Sequence, residues 1–272
     1  MELKLISWFD DHFYKRETED FVDYYPSVTS KLGALAKPEL YEWYGRMGTR
    51  EAKLYMNERA DRGTRIHWAW YTLTTGGVVV FNPNGHPSHT AEEMAELKEK
   101  HRDVAILTSQ DEMYQLVKLK KFLSVLKPEI IYSEKIVFND SLREAGTVDN
   151  LFRISRGDYQ INGTEAISLP EGYYIFDLKN TAAIYEEAKM QVSRYSYLEQ
   201  LAGTKIIGAL IGWTGSQNRK GIPGFGCIYL EEDDLQYWNR SYMHAAEIWR
   251  RHYSQRKPKI FEIPSYLVLE NL

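Results

Sequence analysis

From Ser27 apolar residues recur every three to four positions, and from Pro128 strand-like runs interrupted by two helical stretches take over, so helices give way to strands. Residues 1 to 26 are charged and aromatic without a sustained period and read as an N-terminal extension packed on the body. Pro26-Ser27-Val28 opens a helix, and Pro38 starts another that carries Leu40, Trp43, Tyr44 and Met47 at helical spacing, with Gly33 and Gly48 as punctuation. A further helix from about Asn57 to Thr72 puts Ala60, Gly63, His67 and Trp70 on one face before Gly76-Gly77 ends it. Val78 to Phe81 is a short strand or buried turn, and Asn82 to Pro87 a loop. Helices follow at about Ala91 to Lys100 and Asp111 to Leu126. The second is expected to turn Tyr114, Leu116, Val117 and Phe122 inward and Lys118, Lys120 and Lys121 toward its outer side.

The period then becomes that of strands: Ile130 to Phe138 and Glu144 to Ile154, joined at Asn139-Asp140-Ser141, then Tyr173 to Leu178. A helix from Ile184 to Leu201 comes next, then strands Lys205 to Trp213 and Gly226 to Glu231 around the loop Thr214 to Pro223. An amphipathic helix from about Leu235 to Tyr253 closes the pattern. The order β-β-β-α-β-β predicts an α/β (α+β) protein: a mixed sheet flanked by helices with one crossover helix, and an N-terminal helical cap. The expected division is residues 1–127, extension and helical region, and residues 128–272, sheet core with its C-terminal helix, as one compact unit.

Composition narrows the possibilities. Hydrophobic residues at 43% and charged residues at 26% exclude a disordered or fibrous chain. The longest apolar run, Ile206 to Trp213, is far short of the roughly 20 residues that span a membrane, and Met1 to Asp10 turns charged too early for a signal peptide. A cytoplasmic protein without membrane contact is expected. One cysteine, Cys227, excludes an intramolecular disulfide and a four-cysteine iron-sulfur cluster, and reads as a small buried hydrophobe.

With a net charge of -4, any nucleic-acid contact needs a local basic patch. Candidates are Lys118, Lys120 and Lys121, the group Arg250, Arg251, His252, Arg256, Lys257 and Lys259, and the polar loop Gly215 to Lys220; a solvated face is the simpler reading of each. Twenty Tyr and seven Trp suit a protein that stacks a ligand, although a large core uses the same residues. His86 and His89 lie three apart in a proline-containing loop, a poor metal site.

The candidate chemistry begins at Asp177-Leu178-Lys179, which ends an apolar strand. A period of two sends Asp177 and Lys179 to one face and Leu178 to the other, so a carboxylate and an ammonium converge. Such a pair is common on solvated strand edges and weighs little alone. Asp149 is a second carboxylate inside an apolar strand, where an uncompensated charge costs several kcal/mol, so it needs a lysine or a divalent cation as partner. His67 shares a helix face with Gly63. Gln191 and Tyr195 stand four apart on a later helix, both able to hydrogen-bond a phosphate.

The series Arg62-Gly63-Thr64-Arg65-Ile66-His67, Gly146-Thr147-Val148-Asp149, Asp177-Leu178-Lys179 and Gln191-x-x-x-Tyr195 resembles, in order, the RecB-type branch of the PD-(D/E)XK nuclease superfamily. Tyr25-Pro26-Ser27-Val28-Thr29 and Leu40-Tyr41-Glu42-Trp43 resemble the N-terminal segment of the phage-type exonucleases of that branch; the likeness spans about residues 24 to 213. The resemblance implies a restriction-endonuclease-like mixed sheet with a Mg2+ or Mn2+ site at its strand ends. Asp149 and Asp177 would be ligands, with His67, Glu134 and the carbonyl of Leu178 as further metal-site groups. Lys179 would position the attacking water and stabilise developing charge, while Gln191, Arg194 and Tyr195 hold Lys179 or the substrate backbone.

What it implies functionally is a metal-dependent deoxyribonuclease, an exonuclease leaving 5'-phosphates, in DNA repair, recombination or phage replication. The chain departs from the branch members whose nuclease domain carries an iron-sulfur cluster. It also has no G-x-x-x-x-G-K-[ST] motor loop, so a stand-alone enzyme or a helicase or recombinase partner is implied. The alternatives are a non-catalytic nucleic-acid-binding or assembly protein of the same fold, and a site-specific restriction enzyme.

Overall fold

A computed structural model describes residues 2–8, 11–18, 21–83, 89–162, 166–181, 183–215, 222 and 224–253. In chain order, strands β1 (Glu2–Trp8), β2 (Asp11–Glu17) and β3 (Val22–Pro26) precede helices α1 (Val28–Leu32), α2 (Pro38–Met47) and α3 (Thr49–Thr74). Then come β4 (Val78–Phe81), α4 (Ala91–Lys100), β5 (Val104–Leu107) and α5 (Gln110–Leu126). The second half holds β6 (Glu129–Asn139), β7 (Glu144–Ile154), β8 (Gly157–Tyr159), β9 (Ile167–Leu169), β10 (Gly172–Lys179), α6 (Glu186–Leu201), β11 (Ile206–Trp213), β12 (Gly226–Leu230) and α7 (Glu232–Tyr253).

The central sheet has five strands in the order β12-β11-β10-β7-β6. Strands β10 and β11 are parallel, joined through α6, and the other neighbours are antiparallel. This is the helix-flanked mixed sheet of an α/β protein that the change of period predicts. Its inner strands are covered on both faces, which is why they read as nearly continuous apolar runs. Phe152, Tyr174, Phe176 and Leu210 pack with Trp70 of α3 and Phe122 of α5 on one face. Leu151, Ile175, Ala209 and Ile211 pack with α1, α6 and α7 on the other. Phe176 lies centrally in the first layer, its ring 5.2 Å from Phe152, 5.3 Å from Phe122 and 5.6 Å from Trp70. A full burial of this kind stabilises by about 1.5–3 kcal/mol per side chain.

The N-terminal half is not all helical. Strands β1, β2 and β3 form a three-stranded antiparallel sheet. Its period is hidden because long amphipathic side chains also take inward positions: Arg16 is buried, paired with Asp140 at 2.6 Å and lying over Phe138, while Tyr14 and Tyr25 pack on Ala145. Strands β4 and β5 form a parallel pair, and β8 and β9 an antiparallel one. The three strands β5, β8 and β9, of three or four residues each, are too short to show a period.

Helix α3 begins at Thr49, not Asn57, because the break is Gly48 in the left-handed region (φ 89°). Its 26 residues make a rod of about 39 Å. On α5 the inward residues are Leu116, Leu119, Phe122 and Leu126. Tyr114 and Val117 are exposed, and it is Lys118 that is buried, its ammonium bonded to the Thr214 carbonyl at 3.2 Å and set over the Tyr114 ring. Cys227 is a buried member of the apolar cluster, with its thiol pushed up to about 12 by burial. No helix among the described residues is long and apolar enough to cross a membrane.

Candidate metal centre

Three carboxylates stand abreast across β6, β7 and β10. The β6–β7 pairing runs Ser133↔Asn150 and Lys135↔Val148, which leaves Glu134 opposite Asp149. The β7–β10 pairing runs to Asn150↔Phe176, and one further step brings Asp177 level with Asp149. Helix α3 crosses above and contributes His67. Its Nδ1 lies 3.6 Å from Asp149 Oδ2 and 3.8 Å from Glu134 Oε1. One ligand atom each from His67, Glu134 and Asp149 fall within 4.8 Å of one another, the one such group among the described residues. Glu134 reaches it from a left-handed backbone (φ 50°), a conformation that costs a non-glycine residue roughly 1–2 kcal/mol.

Asp177 is not in that trio. It is buried, and its Oδ2 stands 2.8 Å from Lys179 Nζ without a well-aligned hydrogen bond. Asp177 and Lys179 share a face, as the period of two requires, and Leu178 packs in the opposite apolar layer. The contact seen for Leu178 is through its main-chain amide, which donates to Asp149 Oδ2 at 2.7 Å. Lys179 also donates to Gln191 Oε1 at 2.9 Å, and Gln191 Nε2 donates to the Tyr195 hydroxyl at 3.0 Å. This chain of contacts needs α6 close to β7. Gly146 permits it, since a Cβ there would collide with the Tyr195 ring.

Burial dominates the electrostatics. It raises the carboxyl pKa of Asp177 to about 6, with Lys179 opposing it and Asp149 reinforcing it. Asp149 is likewise raised by burial, against the pull of His67. Burial lowers His67, but Asp149 and Glu134 outweigh it and bring the imidazole up to about 9. Tyr195 is raised well above its ordinary value, chiefly by burial, so it stays a neutral hydroxyl. Three carboxylates thus face one imidazole and one ammonium, an excess of negative charge with a buried carboxylate oxygen lacking a donor. Such oxygens with one imidazole fit a divalent cation such as Mg2+ or Mn2+.

Other sequence candidates lie elsewhere. Arg194 turns away from the trio into a buried cluster, bonded to Glu144 and Asn239 with its guanidinium over Tyr242. Within Arg62-Gly63-Thr64-Arg65, Arg62 is held by Asp111 and Arg65 by Glu112 at 2.6 Å, which clamps α3 to α5. Arg250 and Arg251 pair with Glu247 on their own helix at 2.8 Å. Lys120 and Lys121 are exposed. His86, residues 216–220, Arg256, Lys257 and Lys259 lie outside the described residues.

Periodicity did not single out the network that sets α3. Trp70 Nε1 donates to Asn150 Oδ1 at 2.6 Å, Asn150 Nδ2 to Ser133 Oγ at 2.6 Å, and Ser133 Oγ to Thr74 Oγ1 at 2.9 Å. The available signal was Asn150 itself, a buried amide in an apolar strand that must find partners. Nor does any period mark Tyr14, whose hydroxyl meets Thr147 Oγ1 at 2.8 Å and brings the N-terminal sheet beside the centre.

In comparisons with known proteins, no protein-family model matches the chain and no curated protein does. Among solved structures, an alkaline exonuclease from Laribacter hongkongensis is similar at 10% sequence identity, over 68% of this chain and 97% of that one, with a TM-score of 0.26. A likeness that loose carries no argument about activity.

Proposed function

We propose that this chain is a metal-dependent deoxyribonuclease of the exonuclease kind, hydrolysing phosphodiester bonds in repair, recombination or phage replication. The observation that carries the reading is the convergence of His67, Glu134 and Asp149 on one point, beside a buried Asp177 whose free oxygen adjoins Lys179. His67, Glu134 and Asp149, with Asp177 and the Leu178 carbonyl alongside, would hold Mg2+ or Mn2+. When bound there, such an ion supplies Lewis acidity toward a phosphoryl oxygen and a lowered pKa for an attacking water.

The protein's own groups do the rest. Lys179 is ion-paired with Asp177 on one side and donates to Gln191 on the other, which holds the ammonium in place with protons left to direct at the attacking water or at a non-bridging phosphate oxygen. Tyr195 orients Gln191 and, being neutral, adds no charge that would repel phosphate.

The test is digestion of end-labelled linear DNA in Mg2+ or Mn2+. Shortening from the ends should be abolished by EDTA and by Asp177→Ala, and covalently closed circles should survive. Lys179→Ala should keep Mn2+ binding, read calorimetrically, yet lose roughly 100-fold or more in kcat, the usual effect of deleting one charge-stabilising donor. Undiminished digestion by Asp177→Ala would assign the activity to another site. Discrete fragments from circles would assign it to an endonuclease.

A further inference from the structure

One residue beyond His67, α3 carries a different chemistry. The Trp68 indole is stacked on Tyr71, with ring centroids 5.5 Å apart and planes 26° from parallel. Trp68 is nevertheless 51% exposed, which leaves much of a large aromatic surface open to solvent. Both rings line a groove of about 770 Å³ whose walls include His67 and Glu134 of the metal centre, together with Gly63 and Arg102. The groove and the centre therefore share two side chains.

Gly63 lies one turn before His67, inside a helix, where glycine is disfavoured relative to alanine. Packing does not require it, because a Cβ there would meet nothing within 4 Å. What glycine provides is a bare stretch of helix beside the centre. Arg102 is 85% exposed and only loosely paired, 3.8 Å from Asp103, so it has the freedom to reach a phosphate.

We infer that this groove takes the end of an unpaired nucleic-acid strand, with one base stacked on Trp68 and the backbone passing Gly63 to bring a phosphate to the centre. The inference rests on the nuclease reading of that centre. Two observations favour an unpaired strand over a duplex. Within a duplex both faces of every base short of the terminal pair are covered, and that pair is held in line with its partner strand, so lifting a base onto Trp68 costs unpairing and unstacking, whereas a single strand offers its bases freely. The net charge of -4 also gives the protein little general attraction for phosphates, and Arg62 and Arg65 on the same helix are spent on Asp111 and Glu112. An aromatic platform supplies affinity that does not depend on charge or base identity.

The experiment measures binding of fluorescent single-stranded and blunt double-stranded oligonucleotides to the full chain in EDTA, and the KM for each in Mg2+. Trp68→Ala should weaken single-strand binding by about ten-fold, the usual loss for one stacked base, and leave duplex binding unchanged, with Trp68→Phe close to the unmodified protein. An oligonucleotide abasic at its terminal positions should show the same loss on the unmodified protein and no further loss on Trp68→Ala. Equal single-strand binding by Trp68→Ala, an equal loss for both oligonucleotides, an abasic penalty that persists without Trp68, or no single-strand binding by the unmodified protein would each overturn the inference. The two readings separate cleanly. Metal-dependent cleavage that ignores Trp68 sinks only this one, and Trp68-dependent binding without any cleavage sinks only the nuclease.

Discussion

At Asp177 and His67 the folded protein holds a proton more tightly than the unfolded chain does, over different ranges of pH. Burial lifts Asp177 from 3.8 to about 6, so its contribution to stability is complete below pH 3.8 and is lost as pH rises through about 6. Against the opposing effect of burial, Asp149 and Glu134 lift His67 from 6.5 to about 9; its contribution is complete below pH 6.5 and lost through about 9. The metal-free protein should therefore lose stability in both windows. Thermal unfolding in EDTA, stepped through pH, should show that Asp177→Asn reduces the lower loss, leaving the share of the likewise raised Asp149, and keeps the upper, while His67→Phe removes the upper loss and keeps the lower. An undiminished lower loss in Asp177→Asn would assign it to Asp149 alone. Since a cation must displace the His67 proton, Mn2+ affinity should also rise with pH up to about 9. Glu134 separates stability from binding in another way. At φ 50°, Glu134→Gly should relieve roughly 1 kcal/mol of backbone strain while weakening Mn2+ binding, readable as a higher Tm in EDTA and a lower one in Mn2+.

Among the elements, the sequence is most informative where one physical requirement dominates. Strand β7 falls at the predicted residues because two covered faces and the Asn139-Asp140-Ser141 turn leave no other reading. Asp177 and Lys179 share a face for the same reason of period. The N-terminal sheet is hidden from the period because its inward positions include Arg16, and the first two turns of α3 show no helical stripe because Leu54, Tyr55 and Met56 are all exposed. Why α3 presents His67 to the acids depends on tertiary hydrogen bonds, which no periodicity encodes. The Trp70–Asn150–Ser133 chain fixes the helix against β6 and β7, and so fixes His67 three residues from Trp70. Asn150→Ala should cost about 1–3 kcal/mol by leaving the buried indole N–H unpaired. It should also weaken Mn2+ binding, whereas Phe152→Leu, a core change in the same strand, should lower stability and leave affinity intact. Calorimetry beside denaturant titration would distinguish the two; equal affinity in Asn150→Ala would mean that α3 is held without that bond.

Across the whole molecule, two polar centres share β7 and α6 while doing different work. Glu144 is buried with Lys31 of α1 at 2.5 Å, with Arg194 of α6 and with the Tyr242 hydroxyl of α7 at 2.9 Å, so one carboxylate ties three helices to the sheet. Asp149 lies five residues along the strand, about 17 Å away at the usual rise, beyond the range at which separate changes normally interact. Glu144→Ala leaves Lys31 and Arg194 as buried, uncompensated cations and should cost about 3–5 kcal/mol. A cation bound only by the folded state adds stability as RT ln(1 + [L]/Kd), about 2.7 kcal/mol at a hundred times Kd. That increment depends on affinity alone, so it should be the same in Glu144→Ala as in the unmodified chain, while Asp177→Ala should lose it without paying the cost of a broken Lys31–Glu144–Arg194 cluster. Urea titrations with and without Mn2+ on the three proteins give the comparison directly. A Mn2+ increment that vanished in Glu144→Ala would mean the two centres are coupled through β7. Separate effects would make the acids around His67 a unit energetically independent of the Glu144 cluster that ties α1, α6 and α7 to the sheet.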